Sequence, residues 1–172
     1  MNEAIPPVVR IPVGVVVERR KAMSQWADFI WQPVAVLPGV PDAKPWSVLK
    51  TTDDVTSFYA GEMEMELHRA HSPFYRDNLA SGAPLLWIVL YPAEGDPPYT
   101  LATVTADPSE GEAFTETGTN LVESVAMPEA IREIVAAFAA GHPTEQLVFK
   151  RKRERANPEA LARRAPVRGE RQ

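Results

Sequence analysis

Glu62, Glu64 and Glu66 recur at every second position and are followed in the same rhythm by His68. Three carboxylates and an imidazole on one line could bind a metal ion or carry out acid–base chemistry. On a strand, however, same-face neighbours stand about 6.6–6.8 Å apart, so two of them share an ion only if their side chains bend together. A solvated strand face that protects a sheet edge explains the same spacing. His68 and His71 lie three positions apart, His142 precedes a proline, and none sits in an HExxH, HxE or Ser-His-Asp frame. Glu18-Arg19-Arg20-Lys21 gathers cations at what reads as a strand end. Arg19 and Arg20, joined by Arg69, are the candidate anion-binding residues, since guanidinium groups grip phosphate or carboxylate in a fork. Trp26, Trp31, Trp46 and Trp87 are expected in the core or at a subunit interface rather than around a cofactor. GxGxxG, GxxxxGK[ST] and GxSxG are all missing, and the chain has no Cys for thiolate zinc or nucleophilic chemistry. The pattern therefore predicts no catalytic residue, no metal set and no cofactor.

The elements that must carry these residues are legible as periodicities. Val9, Ile11, Val13, Val15 and Val17 alternate with their neighbours in a β-branched, period-two run that ends at Glu18-Arg19-Arg20. A polar, Trp-containing link at Ser24 to Ile30 follows, then strands at Trp31–Leu37, closed by Pro38-Gly39, and at Trp46–Thr52. Phe58–His68 is two-faced, with Met63, Met65 and Leu67 opposite the three glutamates. Ser72-Pro73 reads as the N-cap and first turn of a short helix that Gly82 ends. Leu85–Tyr91 is an apolar run suited to the centre of a sheet, with Tyr99–Thr105 as its hairpin partner. Asp107-Pro108-Ser109-Glu110 reads as a capped helix start, Asp107 capping and Glu110 reaching back. Leu121–Val125 is the last strand, and the helix opened by Pro128 carries Ile131, Ile134, Val135 and Phe138 as one stripe up to Gly141. Strands outnumber helices and arrive in meander order. The expected fold is α+β: a curved, mostly antiparallel sheet of six or seven strands, with two or three helices packed on one side.

Charge divides the chain in two. Residues 150–172 hold nine basic and three acidic residues, a net of +6, whereas residues 1–149 hold nine basic and twenty acidic, a net of −11. The expected organisation is one α+β domain over 1–149 and a basic, flexible tail over 150–172, because the tail has almost nothing to bury. Lys150, Arg151, Lys152, Arg153 and Arg155 are the candidate partner-binding residues. An acidic protein ranks first as partner. Nucleic acid ranks last, since the body repels phosphate and no aromatic residue after Phe149 could stack on a base. No apolar window reaches the roughly 18 residues of a membrane span, and prolines interrupt the N-terminal apolar stretch. A cytoplasmic protein is the expectation.

Several stretches read together carry a resemblance: IPVGVVVERR, the WQPVAVLPG segment at Trp31–Gly39, ELHRAHSPFYRDNL, VTADPSEGE, ESVAMPEAI and VFKRKRER. In this order they resemble a family of short bacterial proteins of unknown function. The family is often labelled molybdopterin-guanine dinucleotide biosynthesis protein A and is often encoded beside formate dehydrogenase genes. The resemblance spans roughly Val8 to Arg155. It implies an accessory role around a molybdenum enzyme, with that enzyme or its maturation factor as the acidic partner, and it brings no catalytic residues. Molybdenum cofactor guanylyltransferases have an N-terminal Gly-rich phosphate loop, where this chain has a Val-rich strand ending in Glu18-Arg19-Arg20. A non-enzymatic accessory or binding protein is therefore the first expectation. A carrier or enzyme holding an anionic pterin or nucleotide is the alternative, and nucleic-acid binding through the tail comes third.

Overall fold

The β-branched alternation at Val9–Val17 belongs to a strand longer than the pattern itself, β1 (Val8–Ser24). A computed structural model of the protein describes residues 4–143. Its elements, from Val8 to Gly141, lie in one compact unit. β1 runs antiparallel to β2 (Ala27–Leu37) and to β4 (Val55–His68), and β3 (Ser47–Thr51) covers the far edge of β4, giving the order β2-β1-β4-β3. The expected link at Ser24–Ile30 is instead the tip of the β1–β2 hairpin, with Ser24 opposite Ala27. Pro12 is tolerated within β1 because β2 pairs only from Gly14 onward, so β1 has a single neighbour there. Pro33 falls on the edge strand β2, beside a register shift.

β1 and β4 make the longest ladder, from Val8 opposite His68 to Arg20 opposite Val55. The ladder shifts register between Val15 and Val16, where Gly61 adopts φ 136°. Beyond that bulge, the pairs Val13–Met63, Ile11–Met65 and Val9–Leu67 share the core-facing side, while Glu62, Glu64 and Glu66 face solvent.

A second sheet holds β5 (Leu85–Pro92) between β6 (Tyr99–Thr105) and β7 (Leu121–Ala126), again antiparallel throughout. The expected seven strands are thus divided between two sheets, which meet through β2 and β7 and through β4 and β6. β5 has the central place expected of it, and Ile88, Val89 and Leu90 are all fully buried.

A 3-10 turn at Arg69–His71 leads into α1 (Ser72–Ala80); α2 (Pro108–Ala113) follows β6, and α3 (Glu129–Gly141) closes the unit. His71 rather than Ser72 occupies the N-cap of α1, so Ser72 becomes the first helical residue. Ile131, Val135 and Phe138 of α3 are buried, but Ile134 is exposed, because three residues fall about 60° short of a full turn and leave it at the rim of the stripe. One core cluster joins Ile131, Val135 and Phe138 to Ile11, Val13, Val15 and Val17 of β1, Met65 and Leu67 of β4, Leu86, Ile88 and Leu90 of β5 and Tyr75 of α1. Among the described residues, no helix is long and apolar enough to cross a membrane.

Candidate functional site

The end of β4 and the end of β6 place a histidine and two carboxylates side by side. His71 closes the 3-10 turn after β4, and Asp107 and Glu110 belong to the start of α2 after β6. His71 Nδ1 lies 2.7 Å from Asp107 Oδ2, although 36 positions separate the two residues in the chain. The Asp107 side chain is 1% exposed and the His71 side chain 38%. Asp107 caps α2 as expected, but with one oxygen only: Oδ1 accepts from the Ser109 N–H at 2.9 Å and from Ser109 Oγ at 2.6 Å. Oδ2 is left to His71.

Glu110 does not close the expected capping box on the Asp107 N–H. Thr105 Oγ1 accepts that N–H at 3.1 Å and itself donates to Glu110 Oε2 at 3.0 Å. The relay holds the Glu110 carboxylate near His71 and Asp107, and donor atoms of the three residues all lie within 4.8 Å of one another.

The surrounding packing fixes this geometry. Asn78, buried in α1, donates through Nδ2 to the carbonyls of Leu85 and Ala106 at 2.8 and 3.0 Å and accepts the Leu85 N–H at 3.0 Å. It thereby ties α1 to the residue preceding Asp107, and a buried amide fully paired in this way is rigid. Tyr75 accepts the His68 N–H at 3.0 Å, and burial pushes its phenol up to about 12, so it remains a neutral group beneath the turn. Gly111 lets α2 lie directly on the Trp87 indole, where a Cβ would overlap the ring. Arg76 of α1 donates to the carbonyls of Ala139 and His142 and so finishes α3.

A cavity of about 90 Å³ opens beside the cluster, bordered by Glu64, Glu66, His68, Thr105 and Glu110 among others. The glutamate row thus has two roles: it is a solvated strand face, and its end faces this cavity. Arg10, across the ladder, donates to Glu66 Oε1 at 3.1 Å, and His68 Nε2 sits 2.9 Å from Glu66 Oε2. The bonds from Arg10 and then His68 hold the Glu66 carboxyl below the usual carboxylate range.

The expected anion grip of Arg19, Arg20 and Arg69 is not assembled. Arg19 and Arg20 stand opposite Thr56 and Val55 at one end of β4, and Arg69 follows its other end, which at about 3.3 Å per residue is a separation of roughly 40 Å. The Arg19 guanidinium lies over the Phe29 ring at 4.3 Å and the Phe58 ring at 5.2 Å, and Arg20 reaches Glu18 at 3.4 Å. Lys150, Arg151, Lys152, Arg153 and Arg155 lie outside the described residues. Trp31 and Trp46 pack with Phe58 against the core as expected, but Trp26, at the tip of the β1–β2 hairpin, is 91% exposed.

The sequence model of the family described as "Protein of unknown function (DUF3305)" matches residues 12–153. The chain belongs to this family. No curated protein and no solved structure matches it. The DUF3305 region takes in the Arg20–Val55 end of the ladder and the whole His71–Asp107–Glu110 cluster, whereas Val8 to Ile11 of β1, at the other end, precede it. The sequence pattern assigns Asp107 a cap and places His71 in no metal or catalytic frame. The available signal was that ELHRAHSPFYRDNL and VTADPSEGE, two stretches carrying the resemblance, each contribute to the cluster.

Proposed function

We propose that this DUF3305 protein is a non-enzymatic accessory protein that docks an acidic partner, a formate dehydrogenase-type molybdoenzyme or its maturation factor, during assembly or regulation. One observation carries the docking role. Met23, Trp26, Phe29 and Ile30 of the β1–β2 hairpin are exposed at the same end of the sheet as Val48 and Leu49 of β3, with Arg20 and Lys21 among them. Aromatic, Met and Arg side chains are the types that interfaces concentrate, and exposed residues of these types at one end of a sheet offer anchors for a partner. The net +6 of residues 150–172 adds cationic charge in the same chain. The molybdoenzyme setting rests on the family resemblance.

Binding of the purified full chain to a purified formate dehydrogenase-type molybdoenzyme, and separately to its maturation factors, tests this by biolayer interferometry across a salt series. A complex is expected that weakens when Ile30 becomes Asp, and that also weakens with salt and with neutralisation of Lys150, Arg151, Lys152, Arg153 and Arg155. Failure of every one of these proteins to bind, or formation of the dinucleotide cofactor from GTP and molybdopterin by the chain itself, overturns the reading.

A further inference from the structure

Helix capping accounts for only part of the His71–Asp107–Glu110 cluster. A cap needs one side-chain oxygen, and Asp107 supplies Oδ1 to Ser109; its Oδ2 is turned instead to His71 at 2.7 Å. A closed capping box would aim Glu110 at the Asp107 N–H, but the Thr105 hydroxyl takes that N–H and holds Glu110 beside the histidine. Two carboxylates and an imidazole have therefore been brought together beyond what the fold of α2 requires. Each carboxylate is also anchored by a hydroxyl, Ser109 for Asp107 and Thr105 for Glu110. Outer partners of this kind orient metal ligands.

We infer that His71, Asp107 and Glu110 form a binding site for a divalent transition-metal ion of the zinc class. Around a tetrahedral Zn²⁺ with bonds near 2.0–2.2 Å, neighbouring donors stand roughly 3.4 Å apart. The 2.7 Å His71–Asp107 contact and the 4.8 Å span of the three donors bracket that distance, so small side-chain shifts admit the ion. The ion takes the place of the hydrogen between Nδ1 and Oδ2, and in neutral His71 the ring proton moves to Nε2, so the ligand stays a neutral imidazole. One imidazole nitrogen with two carboxylates suits zinc-class ions; Ca²⁺ asks for six to eight oxygens, and Mg²⁺ keeps most of its water. Glu110 of the set also borders the neighbouring cavity, whose volume of about 90 Å³ has room for water. His68 does not belong to the set, because its Nε2 is engaged by Glu66, which Arg10 holds in turn.

Isothermal titration of the full chain, freed of any affinity tag, with ZnCl₂ tests the site, with CaCl₂ and MgCl₂ as comparators. Zinc is expected to bind at one ion per chain and to raise the melting temperature, with calcium and magnesium far weaker. His71→Gln and Glu110→Gln should each weaken zinc at least ~10-fold, while His68→Gln stays within about twofold. Glu110→Gln keeps the Asp107 cap, so its metal-free circular dichroism and melting temperature should match those of the parent chain and separate lost binding from lost folding. Absence of zinc binding, or equal affinity in folded His71→Gln and Glu110→Gln, overturns the assignment and leaves the cluster as a capping network.

Discussion

The β1–β4 ladder ends differently at its two extremities. Where Val8 faces His68, the chain turns into α1 and buries polar groups: Asp107, Asn78 and Thr105 are nearly inaccessible, and each is hydrogen-bonded. Where Arg20 faces Val55, the β1–β2 hairpin runs past the core and leaves Phe29 and Ile30 exposed, and the nearby edge strand β3 exposes Val48 and Leu49. Exposed aliphatic residues and buried polar ones both depart from the usual partition, and both deserve a functional reading when clustered. The polar end is over-determined, with a rigid frame around a small cavity. The apolar end has no covering layer among the described residues, and this contrast motivates the two proposals, ion binding at one end and partner contact at the other.

The largest effect should come from breaking what joins the two ends. Met65 is fully buried opposite Ile11, whereas Glu64, one residue earlier, is exposed. Met65→Asp places an unpaired carboxylate in the core and is expected to cost several kcal/mol, while Glu64→Ala stays within about 0.5 kcal/mol. Urea denaturation of both variants measures this, and equal midpoints would contradict the facing of β4.

Next in size is a change at the polar end alone. Gly111→Ala drives a methyl group into the Trp87 ring and must lift α2, the element that carries Asp107 and Glu110. Overpacking of this kind costs about 1–3 kcal/mol. The melting temperature should fall and zinc affinity with it, while partner binding at the hairpin end persists. Loss of both functions together would show that the two ends are not independent.

At the apolar end the order of effects reverses. Ile30→Asp changes an exposed position of an edge strand, so stability should move by no more than about 0.5 kcal/mol while partner binding drops. A stability loss of 2 kcal/mol or more would mean that the hairpin is covered.

Most of the elements that carry this contrast are legible in the sequence, whereas the contrast itself is not, for identifiable reasons. Alternation located β1 and β4, and the continuous apolar run located β5 at the centre of its sheet, because burial on one face or two is written directly into spacing. The division into two sheets was not legible, since strand order depends on contacts between segments far apart in sequence. The hairpin tip reads as a link in the sequence because Gln25-Trp26 contains none of the glycine, asparagine or proline that mark tight turns. Ile134 was placed in the α3 stripe from spacing alone, and the helix turns it outward. At the site, the capping role of Asp107 was local and legible. Its second oxygen finds a partner 36 residues away, and local periodicity carries no information about such a pairing.

The smallest expected effect lies on the exposed strip between the two ends. Glu66 titrates below its ordinary value of 4.5, first because Arg10 donates to it and then because His68 does. A carboxyl whose folded pKa is depressed contributes stability above its unfolded pKa, and that contribution is lost as pH falls through the folded value. The window therefore lies in the acid range, below about 4.5, and stability near neutrality is insensitive to it. Arg10→Ala removes the leading cause, so the Glu66 midpoint, followed by carboxyl-carbon NMR, should rise toward 4.5. The two side chains are 60% and 43% exposed, so solvent screens the pair and the melting temperature at pH 7 should not change. An unmoved midpoint would show that His68 alone holds Glu66, which would tie this strip to the polar end rather than to the ladder.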